Sequence, residues 1–308
     1  MQKTAFLYPG QGAQYVGMGR ELARAYPVIE ETLNKANDVL GYDLKGLLFE
    51  GPVEELQKTV NTQPSILALS IAYSRVLGEL GVEPQVVAGL SLGEYSALVT
   101  AEALPFEEAL GLVQRRGTYM QQAVPIGAGA MSAIIGLDSD SVTEICAIVS
   151  REQGVVSAAN YNCPGQIVIS GLKGAVQAAA DLARQRGAKK VIPLAVSAPF
   201  HCRLLRPAGR KLGQDLITAG FKHAQIPVVS NVTAQPISAP SQIRRALITQ
   251  VYSAVRWEDS IRWMLNEGVT RFIEVGPGTS LTGFMRRIDR EIEVINFEDE
   301  SRLRALTA

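Results

Sequence analysis

Three times along this 308-residue chain, a short apolar run stops at a glycine-bearing turn and passes into helical spacing. The runs are Thr4 to Tyr8 before Pro9-Gly10-Gln11-Gly12, Gln85 to Gly89 before Ser91-Leu92-Gly93-Glu94, and Arg271 to Val275 before Gly276-Pro277-Gly278. Each reads as strand, glycine turn, helix. Longer helical stretches, such as Pro64 to Leu80 and Phe106 to Gln122, lie between them. Strands alternating with helices call for a mostly parallel sheet covered on both faces, so the fold class is α/β.

The middle of the chain has a different rhythm. After the small-residue stretch Pro125-Ile126-Gly127-Ala128-Gly129 the spacing predicts strand 130–136, helix 139–151, strand 155–160, strand 166–171, helix 173–186 and strand 188–192. That order is β-α-β-β-α-β, the split βαβ or ferredoxin-like arrangement. The segment Tyr161-Asn162-Cys163-Pro164-Gly165 supplies turn residues for a hairpin loop between its second and third strands. Pro193 to Pro199 then returns the chain to the first unit. The expected organisation is a large α/β domain over 1–124 and 197–308, interrupted by a small domain over 125–196. The length agrees, since ~150 residues per domain gives a prior near two.

Composition removes several function classes. With 47% hydrophobic and 19% charged residues the chain can bury a large core and is not disordered as a whole. Thirty basic residues balance thirty acidic ones, so no overall field draws it to nucleic acid or an anionic membrane. Cys146, Cys163 and Cys202 are odd in number and share no CxxC spacing, which predicts a reduced, cytoplasmic protein. The apolar run at the N-terminus ends at Pro9, and no uninterrupted apolar stretch approaches ~18 residues, so neither an export signal nor a membrane span is expected.

Gly89-Leu90-Ser91-Leu92-Gly93 matches Gly-x-Ser-x-Gly in the strand-turn-helix context that the motif needs. A nucleophile on so sharp a turn sits where strand and helix backbones nearly touch, which excludes side chains at the flanking positions. The turn exposes the serine oxygen and aims the Leu92 amide from a helix N-terminus. The same residues also suit an ordinary β-α turn with a serine N-cap. A serine hydroxyl needs a base, and the chain has two histidines. His223 lies in a polar stretch before the apolar strand Pro227 to Ser230. His201, in Pro199-Phe200-His201-Cys202, lies on a rigid turn running into a helix and is the better-held candidate. An oxyanion needs two donors; the turn Pro9 to Gly12 can bring a second amide, from Gln11, to the same sheet edge.

Gly10 and Gly12 also begin a dinucleotide fingerprint, but position 15 is Tyr15 and the pattern fails there. No Walker A sequence occurs, and two histidines with scattered cysteines form no recognisable metal cluster. Arg115-Arg116 lies in an amphipathic segment, where an arginine pair is usually a solvated face. A guanidinium beside the serine would instead grip a free carboxylate bidentately.

Several further residues share one pattern with these: Gly10-Gln11-Gly12-Ala13-Gln14, Gly89 to Tyr95, Arg116-Gly117, Tyr161-Asn162 with Pro164-Gly165-Gln166, Pro199-Phe200-His201, Gln250, and Glu274-Val275-Gly276-Pro277-Gly278. In this order, over essentially the whole chain, they resemble the malonyl-CoA:acyl carrier protein transacylase family. The resemblance implies a hydrolase-like large domain with a ferredoxin-like insertion. It also implies ping-pong transfer of malonyl from coenzyme A, through Ser91, to the phosphopantetheine thiol of acyl carrier protein, in fatty-acid or polyketide synthesis. His201 would be the base, Gln11 and Leu92 the oxyanion donors, and Arg116 the carboxylate ligand. Gln250 would orient His201 through its main-chain carbonyl. The substrate arms would lie near an Asn160 and Asn162 loop, and Phe200 is the type associated with malonyl. No cofactor or metal is implied, malonyl-CoA being a substrate. The chain departs from the family at Leu90, where histidine is usual.

Two rival functions share parts of this pattern. An acyl-thioester hydrolase on the same fold would keep the serine turn but has no use for a carboxylate clamp at Arg116. A non-catalytic carrier-protein binding module would be expected to have lost Ser91, His201 or Arg116. Carrier proteins are acidic, so Lys189-Lys190 and Arg286-Arg287 are candidate docking clusters.

Overall fold

The computed structural model of the protein describes residues 2–196 and 198–298. Its strands in chain order are β1 (Thr4–Tyr8), β2 (Val86–Gly89), β3 (Gly129–Ile135), β4 (Val156–Cys163), β5 (Gln166–Leu172), β6 (Lys190–Pro193), β7 (Val228–Val229), β8 (Pro236–Ile237), β9 (Arg271–Val275) and β10 (Glu293–Phe297). Six of them form one sheet in the order β10-β9-β1-β2-β7-β8, parallel except for the β7–β8 pair. The four between form a separate antiparallel sheet in the order β4-β5-β3-β6. With helices Ser139–Glu152 and Lys173–Gln185 this is the ferredoxin-like arrangement. The fold is thus α/β, a hydrolase-like parallel sheet carrying a ferredoxin-like insertion.

The period-two geometry of a strand explains why the central runs are apolar throughout. Phe6 and Tyr8 of β1 join one core with residues of the helices Thr59–Glu79 and Phe106–Gln122. Ala5 and Leu7 point the other way, into a second core shared with the helices Trp257–Asn266 and Ser280–Ile288. Register then places the turns. Tyr8 lies opposite Gly89 and Leu7 opposite Glu274, so the turns after β1, β2 and β9 leave from one edge of the sheet.

Three local differences from the sequence reading have physical causes. The predicted loop 161–165 is mostly strand: β4 runs to Cys163, and only Pro164-Gly165 turns the hairpin. Gly165 has φ 68°, and irregularities at Ala158/Asn160 and Tyr161/Cys163 let the longer strand stay paired. The first helix after Lys58 starts at Thr59, not at Pro64. Proline forfeits one backbone hydrogen bond there, and burial on nearly every side of the helix outweighs that loss. The predicted strand 227–230 pairs only over Val228–Val229. The return segment Pro193 to Pro199 contains Ser197, which lies outside the described residues.

Two close approaches join the pieces around the future site. A Cβ on Gly117 would lie 2.9 Å from the Thr59 carbonyl oxygen, so glycine lets helix Phe106–Gln122 cross helix Thr59–Glu79 at short range. Strand β4 is tied by main chain to the segment that precedes helix Trp257–Asn266: Tyr161 donates to the Val255 carbonyl at 2.9 Å and Val255 to the Ala159 carbonyl at 2.8 Å.

Candidate active site

Steric crowding at the turn after β2 is severe. A Cβ on Gly89 would lie 1.9 Å from the Gly93 carbonyl oxygen, and one on Gly93 would lie 2.2 Å from the Tyr8 carbonyl oxygen. Both positions therefore demand glycine, which is the reason for the spacing of the motif. Between them Ser91 is held at φ 54°, a left-handed conformation that a serine adopts only when its surroundings impose it. Asn231, just beyond β7, does so from both sides: its Oδ1 accepts from the Ser91 amide at 2.6 Å and its Nδ2 donates to the Gly89 carbonyl at 2.7 Å.

The Ser91 hydroxyl oxygen lies 2.7 Å from Nε2 of His201. His201 Nδ1 lies 2.8 Å from the Gln250 main-chain oxygen. A carbonyl only accepts, so Nδ1 carries the proton and the bare Nε2 accepts from the serine. His201 is 4% exposed, and burial, reinforced by the nearby Arg116 charge, pulls its pKa down to about 4. The imidazole is therefore neutral, as a base must be. His223 is exposed and takes no part.

Arg116 and Arg115 part company. The core-facing residues of their helix, Phe106, Ala109, Leu110, Val113, Gly117 and Met120, define a stripe that includes Arg116. Arg115 falls outside it, stays exposed and pairs with Asp215 at 3.2 Å. The solvated-face expectation thus holds for Arg115 and fails for Arg116, which is 1% exposed. Its Nη1 donates to Gln63 Oε1 at 2.9 Å, and its Nη2 to Gln250 Oε1 at 3.0 Å and to the Ser91 hydroxyl oxygen at 3.1 Å. Its Nε is buried with no partner among the described residues. Nε and Nη2 form one edge of the guanidinium, the edge that a carboxylate takes side-on.

These groups line a cleft between the two sheets, with Gly10, Gln11, Gly12 and Leu92 on one side and Met131, Asn160, Asn162 and Val168 on the other. Among the described residues, neither the Leu92 nor the Gln11 amide donates to a protein acceptor. Gly10 fits this turn against the next one, since a Cβ there would lie 2.5 Å from the Leu90 carbonyl oxygen. Leu90 donates its amide to the Tyr8 carbonyl at 2.9 Å, and its side chain lines the cleft without displacing His201 from Ser91. Asn160 and Asn162 stand on strand β4 and not on the expected loop. Glu274, on β9, reaches the start of helix Ser280–Ile288, accepting from the Leu281 and Thr282 amides at 2.9 and 2.8 Å.

Among the described residues no group of His, Cys, Asp and Glu is arranged to hold a metal ion. The family model for the acyl transferase domain matches residues 5–297. The malonyl CoA-acyl carrier protein transacylase of Bacillus subtilis (strain 168) is 46% identical over 299 residues, covering 97% of this chain and 94% of that protein. This chain belongs to the malonyl-CoA:acyl carrier protein transacylase family. Family resemblance extends to three dimensions. The crystal structure of an acyl carrier protein S-malonyltransferase from Vibrio cholerae matches with TM-score 0.96 at 48% identity, covering 99% of both chains. A malonyl-transacylase solved in complex with a type II PKS acyl-carrier protein matches with TM-score 0.96 at 46% identity, covering 98% of each.

Three buried polar residues around the family's serine were not singled out from sequence: Gln63, Glu94 and Asn231. Glu94 offers a visible signal, a carboxylate inside the otherwise uncharged helix Gly93–Thr100. It is fully buried, and burial pushes its pKa up to about 7 against the pull of Asn231, Gln250 and Arg116.

Proposed function

We propose that this protein transfers malonyl from malonyl-CoA to the phosphopantetheine thiol of acyl carrier protein through a malonyl ester on Ser91. The observation that carries the reading is one side chain joining two functions. Arg116, a donor shaped for a carboxylate, touches the same hydroxyl oxygen that His201 contacts. A hydrolase acting on neutral acyl groups needs no such donor, and a binding module needs no serine and histidine in contact.

In the first half-reaction the Ser91 oxygen attacks the thioester carbonyl while its proton passes to His201 Nε2. The Gln250 carbonyl holds the resulting imidazolium by Nδ1. The Leu92 and Gln11 amides receive the charge on the tetrahedral oxygen, where one donor is typically worth ~10²–10³ in rate. Collapse breaks the carbon–sulfur bond, and the coenzyme A sulfur takes the proton from His201. Malonyl remains on Ser91 with its free carboxylate on Nε and Nη2 of Arg116. The carrier thiol then gives its proton to His201 and attacks the ester, and Ser91 recovers its proton as it leaves.

No step in this sequence calls on a cofactor or a metal. Phe200, 7% exposed in the cleft wall, suits malonyl over a branched homologue. Asn162, whose Oδ1 is buried without a partner among the described residues, offers an acceptor to the pantetheine amides. The chain divides at 1–124 with 197–308, around 125–196, so that the small unit roofs the cleft. Three free, buried cysteines suit a cytoplasmic setting, and no described helix is long and apolar enough to cross a membrane.

Intact-mass analysis after exposure to malonyl-CoA tests the reading. The wild type gains one malonyl group, and Ser91→Ala gains none. An unmodified wild type, or an adduct that survives in Ser91→Ala, overturns it.

A further inference from the structure

Glu94 takes no part in the steps above, yet it is bonded to Gln250, which touches both His201 and Arg116. Its Oε2 accepts from the Asn231 amide at 3.1 Å and from the Gln250 side-chain nitrogen at 2.8 Å. Its Oε1 is buried without a partner among the described residues. Gln250 serves the site twice over: its main chain orients His201, while its side-chain Oε1 accepts Arg116 Nη2 at 3.0 Å. A glutamine amide presents a donor at one end and an acceptor at the other, and a flipped amide would turn two N–H groups toward the guanidinium. The neighbours decide which way it faces. A backbone N–H can only donate, so the Asn231 amide fixes Glu94 Oε2 as an acceptor whether or not the carboxyl is ionised. The Gln250 atom facing Oε2 also lies 2.9 Å from the Ser91 carbonyl, which can only accept, so that atom is nitrogen and Oε2 accepts from it.

We infer that Glu94 is a positioning residue for acyl-group selection, locking the Gln250 amide so that its oxygen holds the Arg116 guanidinium ready for the substrate carboxylate. The inference rests on the reading of Arg116 as the carboxylate ligand. Glu94 also steadies Asn231, and so the serine turn. A loss through that route slows every acyl donor alike, whereas a loss through Gln250 and Arg116 falls on donors that bear a carboxylate. The ratio of kcat/KM for malonyl-CoA to that for acetyl-CoA, in acylation of Ser91, separates the two.

Glu94→Met keeps the bulk and removes the acceptor; the ratio is expected to fall about tenfold, the ordinary effect of losing a hydrogen-bonded support to a charged group. Glu94→Gln can present its amide oxygen where Oε2 stood and is expected to restore the ratio to within about threefold of wild type. Should Glu94→Met not fold, as judged by circular dichroism, Glu94→Asp withdraws the acceptor by one methylene and is expected to lower the ratio in the same direction. An unchanged ratio in a folded Glu94→Met or Glu94→Asp protein overturns the inference, as does a Glu94→Gln protein as impaired as Glu94→Met. Wild-type protein that forms no malonyl adduct refutes the underlying reading instead, so the two failures are distinct.

Discussion

The interiors beneath the two sheets are built on different terms. Under the antiparallel sheet the core is plain: Ile134, Val142, Ile145, Val149, Ile167 and Ile169, with alanines from helix Lys173–Gln185, fill the space and bring no charge inside. At the edge of the parallel sheet, Gln63, Glu94, Arg116, His201, Asn231 and Gln250 are all buried, and Ser91 and His201 both hold left-handed backbone, at φ 54° and 58°. A buried, hydrogen-bonded polar cluster is expensive to assemble, and strained backbone adds about 1–3 kcal/mol per residue. The difference shows where the molecule spends stability on chemistry, and where it spends none.

The largest test of that contrast is Arg116→Ala. Malonyl transfer is expected to fall by about 10³ or more, from loss of a bidentate charged contact together with the buried oxygens left unpaired. Acylation by acetyl-CoA should fall far less; equal losses for both donors would make Arg116 a structural residue. Ile169→Ala probes the other region. It should lower unfolding free energy by about 2–5 kcal/mol, as buried aliphatic truncations do, with kcat unaltered wherever the protein remains folded. A change in kcat without a change in denaturation midpoint would contradict the division of labour.

A smaller effect concerns pH. In the proposed mechanism His201 is neutral when it accepts the serine proton, and its pKa is pulled down to about 4. Lowering the pH therefore removes the base only as pH approaches 4, and kcat/KM should be nearly level from pH 7 to pH 5. A histidine of ordinary pKa would lose about thirtyfold by pH 5. A rate profile with its acid limb near 6.5, in protein shown to be folded, would place the imidazole in a wetter setting than the structure gives it.

The smallest effect is expected at the surface. Lys189, Lys190, Arg286 and Arg287 are exposed, and Arg287 donates to the Gln166 side chain at 2.6 Å and the Pro164 carbonyl at 3.2 Å, tying it to the hairpin turn between β4 and β5. We expect charge reversal at Lys189, Lys190 and Arg286 to raise KM for acyl carrier protein several-fold while sparing coenzyme A, since rim charges act mainly on encounter. An unchanged KM would remove these residues from the docking surface.

Local rules made much of this molecule legible. Glycine spacing exposed the serine turn, because two backbones in contact leave no alternative residue. Strand and helix periods gave the order of elements in the antiparallel sheet and four strands of the parallel one, but not β8, which is two residues long, or the edge strand β10. His201 stood out because a rigid turn holds a base better than a polar tail. What stayed hidden depends on distant residues meeting. Nothing near Asn231 in the sequence announces that it braces a turn formed by residues 89–91, and Gln63 gains its partner only where Gly117 lets two helices cross. Arg116 lay between these cases: helical periodicity alone separates it from Arg115, but the arginine pair drew attention as a unit. The strand end at Cys163 was obscured by turn-forming residues that a bulged strand accommodates.

The short main-chain ladder at Val255 has a mechanical consequence. It fastens the roof of the cleft to the body at Ala159 and Tyr161, beside Asn160, only five residues beyond the carbonyl that steadies the base. Any hinge opening there would pull on the carbonyl that holds the His201 imidazole. An enclosure held at that point would act as a keyhole and not as a jaw, leaving the bending needed for entry and exit to the long, jointed tether of the arriving thioester.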